Sequence, residues 1–451
     1  MGRRRHSSGP PRPRDEALGP VRIEALAEPG LGLARVEGKA VFIEGALPGE
    51  SVRYARRRSK PSYDEAVIAE LLEPSPQRVT PACAAFGRCG GCIAQHQAPD
   101  DQILHKQTLL LDKLRQIGGV QPQTLYPPLR SAPFGYRQKA RLGVRYVPKK
   151  GGVLVGFRER GSALIAQTEA CAVLDPRVEA LREPLCALIA QFAAPDRLPQ
   201  IEVAATDSEV ALTLRHLEDL PAADRERLAD FAACHGVRIF LQPAGPDSVH
   251  PLPPNSDRPL AYRLPDFDLE LEFGPLDFTQ VNLALNRDMV AQAMRLLDPQ
   301  PGERIADLFC GIGNFSLPLA RRGARVLGLE GDDALVRRAQ TNAARNGLAE
   351  QAQFQTCDLF AVDGASLGAF GAFDALLLDP PRSGAREICE HIAVLNPERI
   401  LYVSCNPATL ARDLGILCAA GYQLLGAGVM DMFPHTGHVE SIALLHRERT
   451  P

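Results

Sequence analysis

Between residues 304 and 404, short apolar runs alternate with helical ones. RIADLF (304–309), ARVLGLE (324–330), AQFQTCD (352–358), DALLLD (374–379) and RILYVS (399–404) have the length and side-chain content of strands. Helical runs lie between the first three and after the fifth. This alternation predicts a doubly wound parallel sheet. Strand-like stretches near 422–428 and 440–446 follow with no helix between them, so one strand of that pair is expected to run in reverse. In such sheets a ligand sits beyond the strand C-termini. The residues that end each run therefore matter most.

The first run leads into Asp307-Leu-Phe-Cys-Gly311-Ile-Gly313-Asn314-Phe315. Glycines there let the backbone approach a nucleotide-like ligand. The second run ends in Glu330, about twenty residues on, placed to accept hydrogen bonds from ribose hydroxyls. That pair also suits a dinucleotide enzyme, but the third glycine of the dinucleotide fingerprint falls at Ser316 and no pyrophosphate site is otherwise indicated. S-adenosylmethionine has no phosphate and does not need one. Asp358 ends the third run, in place to accept from an adenine amino group. Asp379-Pro380-Pro381-Arg382 ends the fourth. The fifth opens onto Cys405, with Asn406-Pro407 starting a turn. A lone cysteine is most often a small buried residue. At a strand end in an α/β sheet it is also a candidate nucleophile.

A chain of 451 residues with 45% apolar content has room for two or three domains. No apolar run approaches the ~20 residues of a membrane span. MGRRRHSSGPPRPRDE has no apolar segment behind it, so residues 1–17 read as a disordered basic arm rather than an export signal. A cytoplasmic location is the expectation. Eleven cysteines, an odd number, point to reduced thiols or a metal site rather than a disulfide framework. Net charge is −3, unevenly spread: residues 1–60 hold thirteen Lys/Arg against seven acids, and 131–160 hold eight against Glu159 alone. Two basic blocks on an acidic body suggest a polyanion bound on one side.

Residues 18–77 read as four or five short strands in an OB-like barrel, a common oligonucleotide platform. Arg53, Arg56, Arg57, Arg58 and Lys60 fall on one strand and turn, with Tyr54 among them for stacking on a base. The stretch resembles a TRAM domain. Cys83, Cys89 and Cys92, spaced C-x5-C-x2-C, lie in a glycine-rich loop too short to bury them all. Three ligands need a fourth, and Cys171 is the best candidate. Zinc and iron–sulfur are both chemically open. Residues 125–265 read as an α+β region, with strands KARLGVRYV, VLVGFRER, IEVAATD, VALTLRH and VRIFLQP and a helix near 178–193. Arg137, Lys139, Arg141 and Arg145 share one face of a strand there, a candidate RNA surface.

FTQVN (278–282), DLFCGIGNF (307–315), LLLDPPR (376–382), VSCNPATLARD (403–413) and DMFPHTGHVES (431–441) resemble the RNA uracil-C5 methyltransferases. With the TRAM-like barrel and the cysteine loop, the chain is similar to the branch acting on one uracil of 23S ribosomal RNA. The resemblance implies a class I, Rossmann-like S-adenosylmethionine methyltransferase domain (95–124 and 267–451), an iron–sulfur-containing middle domain (78–94 and 125–266) and no obligate protein partner. It implies a [4Fe-4S] cluster on Cys83, Cys89, Cys92 and Cys171. Donor-binding residues fall on Gln280, Phe309, Asn314, Glu330, Asp358 and Asp379, of which Gln280 and Asp379 also reach toward the uracil edge. Uracil C5 is a poor nucleophile until a thiolate adds at C6, and the resemblance makes Cys405 that thiolate. A base must then remove the C5 proton. Asp431, His435, His438 and Glu440 are all available, and by the likeness the base is Glu440. An exocyclic-amine methyltransferase also carries a DPP motif, but favours an aromatic where Arg382 stands and needs no cysteine. A non-catalytic RNA-binding or redox-sensing protein is the other rival. Failure to bind S-adenosylmethionine would favour it.

Overall fold

The computed structural model describes residues 17–150, 152–252 and 258–448. The basic arm expected at the N-terminus lies outside them, apart from Ala17.

Six strands form the N-terminal barrel-like sheet: β1 (Leu18–Arg22), β2 (Ala25–Glu28), β3 (Leu31–Val36), β4 (Lys39–Glu44), β5 (Ser51–Ser59) and β6 (Tyr63–Glu73), in the order β1-β5-β6-β4-β3-β2. VRIEAL breaks at Ile23–Glu24 into two strands. ARVEGKAVFIEGAL folds back at Glu37-Gly38, where both residues have positive φ (50° and 82°), as a two-residue hairpin turn requires. Strand periodicity fixes which residues share a face but not which face is inside. Tyr54 is on the inside, 2% exposed and packed with Ile23, Val52 and Ala66. It is a core residue, not a stacking platform. The basic strand is also largely neutralised: Arg56 pairs with Asp64 at 2.8 Å, Arg57 with Glu44 at 2.8 Å and Arg53 with Glu70 at 3.5 Å.

The cysteine loop follows, then α1 (Pro99–Lys113) and β7 (Thr124–Leu125). The middle sheet contains β8 (Lys139–Val147), β9 (Gly152–Gly156), β10 (Gln200–Ala205), β11 (Val210–Arg215), β12 (Arg238–Gln242) and β13 (His250–Pro251). Its order is β13-β12-β11-β10-β8-β9, with α2 (Pro176–Ile189) and α3 (Ala222–His235) packed on its core side. Pattern reading misses α3 because its only buried apolar residues are Leu228 and Phe231. In β8 the even positions Ala140, Leu142 and Val144 face the core. The odd, basic positions face the other way, as the alternation predicts.

A hairpin, β14 (Leu260–Leu264) and β15 (Leu269–Phe273), packs into the core of the C-terminal sheet. Chain order there is α4 (Leu283–Leu297), β16 (Arg304–Leu308), α5 (Ser316–Arg321), β17 (Arg325–Glu330), α6 (Asp333–Arg345), β18 (Ala352–Thr356), α7 (Gly364–Gly368), β19 (Ala375–Leu378), α8 (Arg386–Glu390), α9 (Ile392–Leu395), β20 (Arg399–Ser404), α10 (Pro407–Ala419), β21 (Tyr422–Met430) and β22 (Glu440–Arg447). The eight strands lie in the order β18-β17-β16-β19-β20-β22-β21-β7. β16 to β20 are parallel, and β22 is antiparallel to both neighbours. The expected reversed strand is therefore β22. Strand order switches between β16 and β19, which opens a crevice above Leu308 and Leu378. Side chains alternate between two cores: Ile305, Leu377 and Leu401 face one, Ala306, Leu376 and Ile400 the other. Among the described residues no helix is long and apolar enough to cross a membrane.

Candidate active site

The chain leaves β16 through a bend that glycine makes possible. Phe309 and Cys310 both donate to the Leu329 carbonyl, at 2.9 and 3.1 Å. Phe309, Gly311 and Gly313 all have positive φ, at 66°, 54° and 94°. A side chain at Gly311 or Gly313 would be strained by that backbone alone. The bend brings the Gly311 N–H to Glu330 Oε2 at 3.1 Å. Gly331 and Asp332 donate to Oε1 at 2.8 and 3.1 Å. The Glu330 carboxylate is thus fixed at the end of β17, where the sequence places it. The Phe309 ring packs against Phe360 with centroids 5.5 Å apart. Asp358 is exposed and accepts from the Phe360 N–H at 3.0 Å. Gln280 is half-buried in the segment leading into α4. The Asn314 amide is taken up by Tyr262, at 2.8 Å, and by two bonds with Asn286, at 3.0 Å each. It locks the loop to α4 instead of projecting from it. Beneath the loop, Asp307 accepts from Ser316 while its Oδ1 is buried with no partner among the described residues.

Cys405 sits between β20 and α10, half-buried. Asn406 caps α10 through the Ala408 N–H at 3.1 Å, and its amide donates to the Arg382 carbonyl at 2.9 Å. Thr409 donates to the same carbonyl at 3.2 Å. The far end of the Asp379–Ala385 loop is held by buried Asp413, which accepts from Tyr402 at 2.6 Å and from the Ala385 N–H at 2.8 Å. Gly384, with φ at 81°, lets that loop lie against Asp413; a Cβ there would come within 2.5 Å of the carboxylate.

Four ionisable groups lie within electrostatic reach here. Burial, reinforced by Glu440 and Asp379 and opposed by Arg382, pushes the Cys405 thiol up to about 11. Burial, then Glu440, pushes Asp379 up to about 8. Burial pushes Glu440 up to about 7, against Lys106 and Arg382. Burial thus favours the thiol form of Cys405 and the protonated form of Asp379.

The loop between β21 and β22 separates the candidate bases. Asp431 is ion-paired to buried Lys106 at 2.7 Å. His435 is 1% exposed, held through Nδ1 by Gln102 at 3.0 Å and stacked on Phe134 at 4.6 Å, and burial pushes it down to about 4. Burial, then Arg382, also lowers His438. Of the four, Glu440 is the one acting on both Cys405 and Asp379. Arg382 stands in the DPPR motif without a role assigned from sequence. Lys106 carries no sequence signal at all, because it reaches the site from 325 residues away.

Residues 263–448 match the family described as tRNA (Uracil-5-)-methyltransferase, and 20–53 match the TRAM domain. A 23S rRNA (uracil(1939)-C(5))-methyltransferase of Aromatoleum aromaticum is 51% identical over 427 residues, 94% of this chain and 99% of that one. One from an Azoarcus species is 53% identical over 427 residues, with the same coverage. The chain belongs to this family. The tRNA (uracil-54, C5)-methyltransferase of Pyrococcus abyssi, solved with S-adenosyl-L-homocysteine, shares the fold, with TM-score 0.70, 24% identity and coverage of 94% of this chain and 99% of that one.

In this member of the family a groove of about 850 Å³ runs from the cysteine loop and the middle sheet to the reacting centre. Arg137, Arg141, Arg158 and Arg160 line it, together with Arg382 and Phe433. Of the four basic residues expected on one strand face, Arg137 and Arg141 reach the groove and Arg145 is exposed. Lys139 instead turns inward to the Asp277 carbonyl.

Cys83, Cys89, Cys92 and Cys171 come together within electrostatic reach. Burial, reinforced by Cys171, Cys89 and Cys83 and opposed by a hydrogen bond with Gln95, pushes the Cys92 thiol up to about 12. Among the described residues no group of three His, Cys, Asp or Glu is drawn close enough to hold a metal ion. Backbone bonds already position the loop. Gly90 donates to Arg158 at 2.9 Å, and Ile93 and Ala94 donate to the His435 carbonyl at 2.8 and 3.1 Å.

Proposed function

We propose that this protein methylates C5 of uracil 1939 in 23S ribosomal RNA, with S-adenosylmethionine as donor and a covalent bond between Cys405 and the base. The observation that carries the mechanism is the position of Cys405 at the end of β20, within electrostatic reach of Glu440, Asp379 and Arg382, beside a groove lined by arginines.

The groove arginines grip phosphates flanking the target and help offset the few kcal/mol, roughly, of unstacking it. Cys405 reacts through its minor ionised form, which Arg382 favours. Sulfur adds to C6, and the ring electrons move toward O4, leaving C5 carbanion-like. Protonated Asp379 is a donor suited to that oxygen. S-adenosylmethionine supplies an electrophilic methyl on a sulfonium sulfur. Glu440 then takes the C5 proton, the C5–C6 double bond re-forms and Cys405 departs.

Gln280, Phe309, Glu330, Asp358 and Asp379 hold the donor in this reading, and Asn314 serves by fixing their loop to α4. The unpaired Oδ1 of Asp307 and the fixed Glu330 carboxylate suit a ligand with one cationic end and a ribose. Incubating purified protein with 23S rRNA and methyl-labelled donor tests the assignment. Label at C5 of that one uracil is expected, and label on an exocyclic amine or none at all would refute it.

Cys83, Cys89, Cys92 and Cys171 hold a [4Fe-4S] cluster in this reading. Four soft donors that repel one another as thiolates suit a cationic iron core, and their loop is already anchored at Gly90 and Ile93. The cluster would staple the loop to Cys171 without entering the reaction. Anaerobically purified protein should contain four irons and four sulfides per chain, on the order expected of such a cluster. Cys92→Ser should lose most of both. Zinc in place of iron would contradict the cluster. We also infer the three-part division of the chain given above, and a cytoplasmic location.

A further inference from the structure

Lys106 is 1% exposed, and a buried lysine is costly unless it has a task. It lies on α1, which follows the cysteine loop and packs against α10 and β21. Its ammonium donates to Asp431 Oδ1 at 2.7 Å and to the Phe433 carbonyl at 3.0 Å. Those two residues begin the loop between β21 and β22. Met430, just before the loop, pairs across the sheet with Glu440, just after it. One turn earlier on α1, Gln102 accepts from the His435 N–H at 2.9 Å and donates to its ring. A single helix thus ties the first half of the loop at three points, and the cross-strand pair of Met430 with Glu440 sets Glu440 beside the start of that loop.

We infer that Lys106 is a positioning residue for removal of the C5 proton, clamping the loop that leads into Glu440 and setting the charge that faces its carboxylate. This rests on Glu440 being the base. The groups around Glu440 are Lys106 from α1, Arg382 and Asp379 from the end of β19, Cys405 from the end of β20, and Asp431, His435 and His438 from its own loop. Only Lys106 and Arg382 are cations favouring the ionised carboxylate, and Arg382 is also shared with Cys405. In the step concerned, Glu440 takes the proton from C5, the C5–H electrons form the C5–C6 double bond, and the C6–S bond breaks to give back the Cys405 thiolate. Losing the Lys106 charge leaves Glu440 harder to ionise, so the acid limb of this step moves to higher pH.

The test follows release of methylated RNA from the covalent adduct across pH, in full-length protein as purified. Lys106→Met is expected to form the methylated adduct at the normal rate and to release it at least about tenfold more slowly below pH 7. The KM for RNA should not change. The double variant Lys106→Met/Asp431→Leu removes both buried charges together, so it keeps the question answerable if the single variant does not fold. It too should show the displaced limb, because Asp431 is not among the charges that shift Glu440. Wild-type release kinetics and limb in either folded variant overturn the inference. Glu440→Gln separates the two readings. If it stalls release while the Lys106 variants behave as wild type, only the role of Lys106 fails. If it releases normally, the base assignment fails and this inference with it.

Discussion

Cys405→Ala is expected to lower methyl transfer by on the order of 10⁴-fold or more while RNA and S-adenosylmethionine still bind. The neighbouring Ser404 hydroxyl is spent on Asn406, donating to its carbonyl at 3.2 Å and accepting from its N–H at 3.1 Å. The substitution removes one half-buried sulfur. It leaves the Asn406 cap, the Arg382 clamp and the Asp413 anchor in place, so the fold should lose no more than about 1 kcal/mol. RNA affinity is expected to rest on Arg137, Arg141, Arg158 and Arg160, which line the groove. The checks are labelled methyl incorporation, filter binding at fixed salt and a melting curve. Loss of RNA binding in a folded variant would contradict the division of labour between groove and thiol.

Glu440→Gln should stall the enzyme one step later. Glutamine keeps the shape of the side chain at the start of β22 but cannot take a proton. Turnover is expected to fall by about 10²–10⁴-fold. RNA should accumulate as a methylated adduct that survives denaturing electrophoresis. Forming that adduct should not slow, because after burial Glu440 is the largest influence raising the Cys405 thiol. In the wild type the sign of the pH effect follows from the same charges. Burial lifts Glu440 from the ordinary carboxylate range to about 7. Its basic form is therefore lost as pH falls through neutrality, and release should slow below about pH 7 rather than below about pH 4. An adduct that never appears, or one that lacks the methyl group, would place the missing base at another step.

What the sequence reveals about this site is what the doubly wound sheet makes local. Each strand C-terminus points into one crevice, so Glu330, Asp358, Asp379 and Cys405 can be found by noting what ends each apolar run. The glycine loop is legible for the same reason, and so is the reversed strand, from two strand runs without a helix between them. Properties set by distant packing are hidden. Tyr54 looks like a base-stacking residue until the barrel puts it inside. Asn314 looks free until Tyr262 and Asn286 take its amide. Lys139 looks like part of a basic face until Asp277 turns it inward. Lys106 and Gln102 reach the active-site loop only through tertiary contacts more than 300 residues apart in sequence. Cys83, Cys89 and Cys92 show by their spacing that they belong together, whereas the approach of Cys171 to them is set by tertiary packing.

The proposed reaction turns on a sulfur–carbon bond at Cys405. The direct measurement is mass spectrometry of peptides after incubation with S-adenosylmethionine and target RNA carrying 5-fluorouracil, whose fluorine cannot leave as a proton does. A methylated fluoropyrimidine linked to the peptide containing Cys405 is expected, and no adduct from Cys405→Ala. Full methylation of ordinary RNA by a cysteine-free variant at this position, or an adduct on any other residue, would contradict it.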